Sequence, residues 1–123
     1  MLKFHKIDNT SVAELTDDSF LIKETQDALD LLGDAWFNNC SNIIIREKNL
    51  HPDFFRLHTK LAGEILQKFS TYSMRLAIIG DFTKYKSKNL QDFIRESNRG
   101  NRVFFVDNID IALLKLGKNN PVH

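Results

Sequence analysis

Hydrophobic positions along the chain change their period several times, and each change marks a new element. Leu2, Phe4 and Ile7 fall among Lys3, His5 and Lys6, and Val12, Ala13 and Leu15 resume after the turn residues Asp8, Asn9 and Thr10. This pattern predicts a β-hairpin over the first sixteen residues. Residues 20–22 read as a short extended piece. The spacing then becomes helical: Ala28, Leu29, Leu32, Ala35 and Trp36 share one stripe. Thr25 is the expected N-cap, Asp27 suits the helix dipole, and Asn38-Asn39 ends the run. Residues 43–45 are all isoleucine, as expected for a strand covered on both faces.

His51-Pro52-Asp53 opens an expected long helix, because proline at the first helical position loses no needed N–H. Its stripe is Phe54, Leu57, Leu61, Ala62, Ile65, Leu66 and Phe69. Gly63 inside it costs about 1 kcal/mol relative to alanine, which predicts close approach of another backbone. Residues 76–79 form a second expected buried strand, closed by Gly80-Asp81. Ser87 caps a third helix carrying Leu90, Phe93 and Ile94, with Gly100 as its C′ residue. Residues 103–106 are a third buried strand. Asp107 caps a last helix through Ile109, Ala112, Leu113 and Leu116, with Gly117 just past its end.

Strands alternating with helices imply right-handed crossovers and parallel pairing. The predicted fold class is α/β: a single mixed sheet of three parallel buried strands plus an N-terminal antiparallel hairpin, flanked by four helices. Residues 1–117 are expected as one domain and 118–123 as a flexible tail.

Composition changes this picture little. Apolar residues make up 42% and charged residues 27%, an ordinary globular balance. Ten phenylalanines are many for this length, and predict either an aromatic core or a surface that meets a partner. A net charge of +1 gives no global basic field, which argues against nucleic acid as partner. The charge is nevertheless unevenly placed. Residues 8–34 hold eight acids against Lys23 alone, and residues 84–102 hold six bases against Asp92 and Glu96. Cys40 is the only cysteine, so neither an internal disulfide nor a cysteine-rich metal cage can form. The first residues lack a signal-peptide core and no apolar run spans a membrane, so the expected location is cytoplasmic.

Several strings carry a family resemblance: Asp27-Ala28-Leu29-Asp30-Leu31, Asn49-Leu50-His51-Pro52-Asp53-Phe54-Phe55, Leu61-Ala62-Gly63-Glu64-Ile65-Leu66-Gln67-Lys68-Phe69, Gly80-Asp81-Phe82 and Asp92-Phe93-Ile94-Arg95-Glu96-Ser97-Asn98-Arg99-Gly100. Over residues 26–116 the chain resembles a bacterial family described as domain of unknown function 4180, which implies no particular activity. The element order also resembles STAS domains, the anti-sigma-factor-antagonist type. In that family a serine or threonine opening the helix after the first buried parallel strand is a phospho-switch. The matching segment here, Asn49-Leu50-His51-Pro52-Asp53-Phe54, has no hydroxyl. The resemblance therefore implies protein docking more than a phospho-switch.

In an open α/β sheet, ligands bind beyond the carboxyl ends of the strands. The loops expected there offer His51, Asp53, Asp81, Tyr85 and Lys88 as candidate ligand-binding residues, with His51 and Asp81 as an acid/base pair if the loops converge. Arg95 and Arg99 share a helix face and are a candidate anion clamp. Phe55, next to the core residue Phe54, is a candidate interface residue. His51 and His58 lie seven apart, which is not a zinc spacing, and no glycine-rich phosphate loop is present. No metal, cofactor or complete catalytic set is predicted. The expected function is a non-enzymatic regulatory or protein-interaction module, with a protein partner or a second copy. The alternative is a small-ligand or anion-binding domain with its site at the strand ends.

Overall fold

The computed structural model describes residues 2–117. The expected tail over residues 118–123 lies outside the described residues. Five strands form one sheet in the order β1-β2-β3-β4-β5. They are β1 (Leu2–Ile7), β2 (Thr10–Leu15), β3 (Asn42–Arg46), β4 (Arg75–Ile79) and β5 (Val103–Val106). β1 and β2 pair antiparallel with Ile7 opposite Thr10, and Asp8 takes a left-handed φ of 57° in the turn. The predicted mixed sheet is present, but β2 also pairs parallel with β3 through Ala13 opposite Ile43. The hairpin therefore contributes a fourth parallel strand rather than only an edge.

The helices are α1 (Thr25–Phe37), α2 (Leu61–Thr71), α3 (Lys88–Arg99) and α4 (Ile109–Gly117). Strands β2 to β5 advance across the sheet in one direction. Right-handed crossovers then place α1, α2 and α3 on the same face. There Ala13, Leu15, Ile43, Ile45, Leu76 and Ile78 meet Ala28, Leu31, Ala62, Ile65, Phe69 and Leu90. The alternate strand positions Val12, Ile44, Ala77, Phe104 and Val106 point the other way and meet Ala112 and Leu116 of α4. Arg75 fastens α4 to this face. Its guanidinium donates to the carbonyls of Leu116 at 3.0 Å and Lys115 at 3.3 Å, and its Nε donates to the Asn101 carbonyl at 2.7 Å. A cation at a helix C-terminus is favoured by the dipole.

Several local expectations are corrected. The helix expected from residue 52 is broken. Short 3-10 turns over Pro52–Phe55 and Leu57–Thr59 precede α2, and Lys60 between them takes a φ of 68°. The Thr59 hydroxyl is the cause: it donates to the Asp53 and Arg56 carbonyls at 2.7 and 2.8 Å, offering the backbone an alternative to the helix. The N-cap of α1 is Glu24 rather than Thr25, and Asp27, three residues on, reaches back to accept from the Lys23 and Glu24 N–H groups at 3.0 and 3.2 Å. α4 is capped by Asn108, which accepts from the Ile111 N–H at 2.9 Å, rather than by Asp107. Gly63 is not tightly packed, since a Cβ there would meet nothing within 4 Å. The tight glycines are Gly117, whose Cβ would lie 2.6 Å from the Ile7 side chain, and Gly80, whose Cβ would lie 2.8 Å from that of Glu47.

Candidate functional site

The unidirectional strand order has a chemical consequence. A ligand crevice in an α/β sheet opens where neighbouring connections leave in opposite directions, at a reversal of strand order. β2 to β5 have no reversal. Between the carboxyl ends of β3 and β4 aromatic side chains pack together. Phe55 stacks on Tyr85 with centroids 4.8 Å apart, packs edge-on to Phe54 at 5.1 Å, and leans on Phe82 at 6.0 Å. Phe82 in turn meets Phe105 edge-on at 5.2 Å. Phe55 is only 7% exposed, so the exposure that would make it an interface residue is not there.

The candidate ligand residues are mostly occupied locally. His51 caps the 3-10 turn, its Nδ1 accepting from the Asp53 N–H at 3.0 Å. The Asp53 carboxylate lies 3.8 Å from the same nitrogen, and pairs more closely with Arg56 at 2.8 Å. Asp81 accepts from the Thr83 hydroxyl at 2.6 Å and N–H at 3.1 Å, which holds its carboxyl below its ordinary range. The Tyr85 hydroxyl donates to Glu47, and Lys84 reaches the same carboxylate at 2.8 Å. Burial, then the Glu47 carboxylate, pushes the Tyr85 phenol up. Lys88 pairs with Asp92 at 2.9 Å. The loops over residues 46–52 and 80–87 do converge, but through Glu47 with Tyr85 and Lys84 rather than through a His51–Asp81 pair.

Arg95 and Arg99 do share α3, and each pairs within it. Arg95 donates twice to Asp92 at 2.8 Å, and Arg99 reaches Glu96 at 3.0 Å. Such exposed pairs contribute about 0–1 kcal/mol and release their cations readily.

Two polar arrangements escaped the sequence reading. Glu14 is buried in β2 between His5, whose Nε2 donates to it at 2.8 Å, and Arg46, which donates at 2.7 Å. Burial alone would raise the Glu14 carboxyl; the hydrogen bonds and charges of Arg46 and His5 outweigh it and hold the carboxyl low. The other is a cleft of about 750 Å³ along the outer edge of β5, lined by Asp81, Thr83, Gln91, Asn98, Asp107 and Lys115 among others. Asn98 crosses this edge. Its carboxamide accepts from the Phe105 N–H at 2.8 Å and donates to the Phe105 carbonyl at 3.2 Å. Among the described residues, no group of three His, Cys, Asp or Glu side chains is placed to hold a metal ion. No helix there is long and apolar enough to cross a membrane.

The most prominent surface feature lies at the opposite, amino end of the strands. Trp36 is 73% exposed, Phe37 81% and Tyr72 58%. Trp36 and Tyr72 flank a groove of about 550 Å³ between α1 and α2, lined also by Leu29, Leu32, Gly33 and Met74. Sequence spacing put Trp36 in the core stripe. The buried positions of α1 are Ala28, Leu31, Leu32 and Ala35, and Trp36 falls one step outside them. The available signal was the adjacent pair Trp36-Phe37 at a helix end, where one helix face cannot bury both rings.

No curated protein and no solved structure matches this chain. The family model described as domain of unknown function (DUF4180) matches residues 7–116, and the chain belongs to that family.

Proposed function

We propose that this domain is a non-enzymatic regulatory or protein-interaction module that works through its α1–α2 face. The observation that carries this reading is the pair of exposed rings, Trp36 and Tyr72, that flank an apolar groove, with exposed Phe37 next to Trp36 at the end of α1. Full burial of an aromatic side chain removes roughly 150–250 Å² from water. Leaving three such rings open is costly unless a partner covers them, and Trp and Tyr are the residue types that dominate interface energetics. The aromatic packing between the ends of β3 and β4 and the locally paired polar residues support the same reading. A photoreactive phenylalanine analogue placed at Phe37 should give a discrete cross-linked protein band in the cells that make this protein. The same analogue at exposed Lys86 should not. Equal labelling from both positions, or none from position 37, would remove the proposal.

A second reading is favoured by one observation, the cleft beside β5. It pairs Lys115 with Asp81 and Asp107 at the carboxyl ends of β4 and β5, and would suit a small polar ligand of mixed charge. Of the candidate ligand residues, only Asp81 lines it. Stabilisation by a millimolar ligand in a thermal-shift screen, lost on Lys115→Met, would support it; a flat screen would reject it.

A further inference from the structure

We infer that the α1–α2 groove receives a basic amphipathic helix of another protein. This rests on the interaction reading and names the partner's chemistry. The groove is walled by two helices that each follow a parallel strand, so α1 and α2 run in the same direction and both C-termini lie at the groove, α1 ending at Phe37 and α2 at Thr71, just before Tyr72. Helix C-termini carry the negative end of the macrodipole. α1 has no basic residue in its last turn and places Asp34 there, against the dipole. Toward these ends α1 carries Asp30 and Asp34 and α2 carries Lys68 in its last turn, while Asp27 and Glu64 lie in the first turns at the far end. The rings of Trp36 and Tyr72 add electron-rich faces that favour a cation. An apolar channel between two helix C-termini, with Asp30 and Asp34 on the α1 wall, matches a helix that lays apolar anchors into the groove and presents Lys or Arg along the α1 margin.

The same charges argue against an anionic membrane, which they would repel. The open space at Gly33 is part of the design: nothing lies within 4 Å of where its Cβ would be, so the groove floor is clear in mid-helix.

Trp36 is the only tryptophan, so its emission reports directly on the groove. The probe is a synthetic leucine/lysine amphipathic helical peptide added to the full chain, with the same peptide carrying glutamate for lysine as comparison. The expected result is a saturable blue shift with the lysine peptide only, weaker at high salt and weaker in the Asp30→Asn/Asp34→Asn variant. Tyr72→Ser, an exposed change that spares the core, should weaken binding about thirtyfold, the scale of losing one anchor residue. Equal binding of the glutamate peptide overturns the basic-helix inference while leaving the interaction reading to the cross-link at position 37. So does a shift produced by anionic phosphatidylglycerol vesicles and not by the lysine peptide, or a stable dimer in light scattering that Trp36→Ser dissolves. No shift with either peptide, together with no cross-link, overturns both.

Discussion

A Cβ on Gly80 would stand 2.8 Å from the Cβ of Glu47, so the end of β4 passes the exit of β3 at a distance only a hydrogen allows. The contact is with Glu47 near its backbone and with its carboxylate oxygen, also at 2.8 Å, and that carboxylate is held by Tyr85 and Lys84. Gly80→Ala must therefore shift the Glu47–Tyr85 cluster. The expected cost is about 1–3 kcal/mol, the range for overpacking a fitted site. Urea unfolding of the variant should show a lower midpoint at unchanged slope.

Gly33 and Gly63 should respond in the opposite sense. Each lies inside a helix, is exposed, and has open space where a Cβ would go. Gly33→Ala and Gly63→Ala should each stabilise the chain by about 0.5–1 kcal/mol through the reduced freedom of the unfolded backbone. Thermal unfolding should record this as a rise of roughly 4 °C per substitution. A fall in either variant would show that the added methyl group meets a neighbour in the folded chain.

The three buried strands were legible because β-branched and aromatic runs in this context have one good solution. The Ser87 cap of α3 was legible too: its hydroxyl accepts from the Leu90 N–H at 3.2 Å. Other features depended on contacts between distant segments. Thr59 breaks a helix that its neighbours favour, through carbonyls set by the Pro52 turn. Glu14 reads as an outward strand position, and becomes buried only because His5 and Arg46 arrive from two other strands to receive it. Phe55 and Trp36 exchanged their expected environments for a related reason. Periodicity locates a stripe, but which flank of the stripe is covered depends on what packs beside it, and Tyr85 covers Phe55 while no described residue covers the Trp36 ring.

Glu14 should make stability fall on acidification. Its folded carboxyl titrates below the ordinary value of 4.5, so the unfolded chain takes up the proton first as pH falls. The stabilisation is complete above that ordinary value and is lost as pH drops through the depressed folded one. Asp17, Asp81 and Asp92 shift in the same direction, so the total slope does not belong to Glu14 alone. The comparison with Glu14→Gln isolates it. The variant should be less stable by about 2 kcal/mol at neutral pH, because Arg46 and His5 lose their carboxylate. The gap between the two urea-midpoint curves should close below about pH 4. Curves that stay parallel to pH 2 would show that the network carries no linked stability.

Asn98 guards the open edge of the sheet. An edge strand exposes unpaired N–H and carbonyl groups that can recruit another strand. On β5 the outward groups of Phe105 are both taken by the Asn98 carboxamide. Asn98→Ala should cost about 1–3 kcal/mol, because two hydrogen bonds to a largely buried residue are lost. It should also make the chain self-associate with rising concentration in sedimentation velocity, while Asn98→Asp, which keeps only the acceptor, should fall between. A monomeric Asn98→Ala protein at high concentration would mean that the helices flanking the cleft block the edge without it.

Arg75 tests whether α4 is held by polar contacts or by packing alone. Ala112 and Leu116 supply the apolar contact, and the guanidinium supplies three carbonyl bonds, two of them at the helix C-terminus. Phe104 lies beneath it, 5.6 Å from ring centroid to guanidinium carbon, so the side chain also covers that ring. Arg75→Met keeps the apolar stem and removes the donors. It should cost about 1–3 kcal/mol, the penalty for carbonyls left with poorer partners. The loss should be local. Amide exchange should accelerate in the last turn of α4 first, and far less in α1 to α3 on the other face, since the carbonyl bonds of Arg75 go to Leu116, Lys115 and Asn101. Uniform acceleration across all four helices would instead make α4 an inseparable part of one cooperative unit.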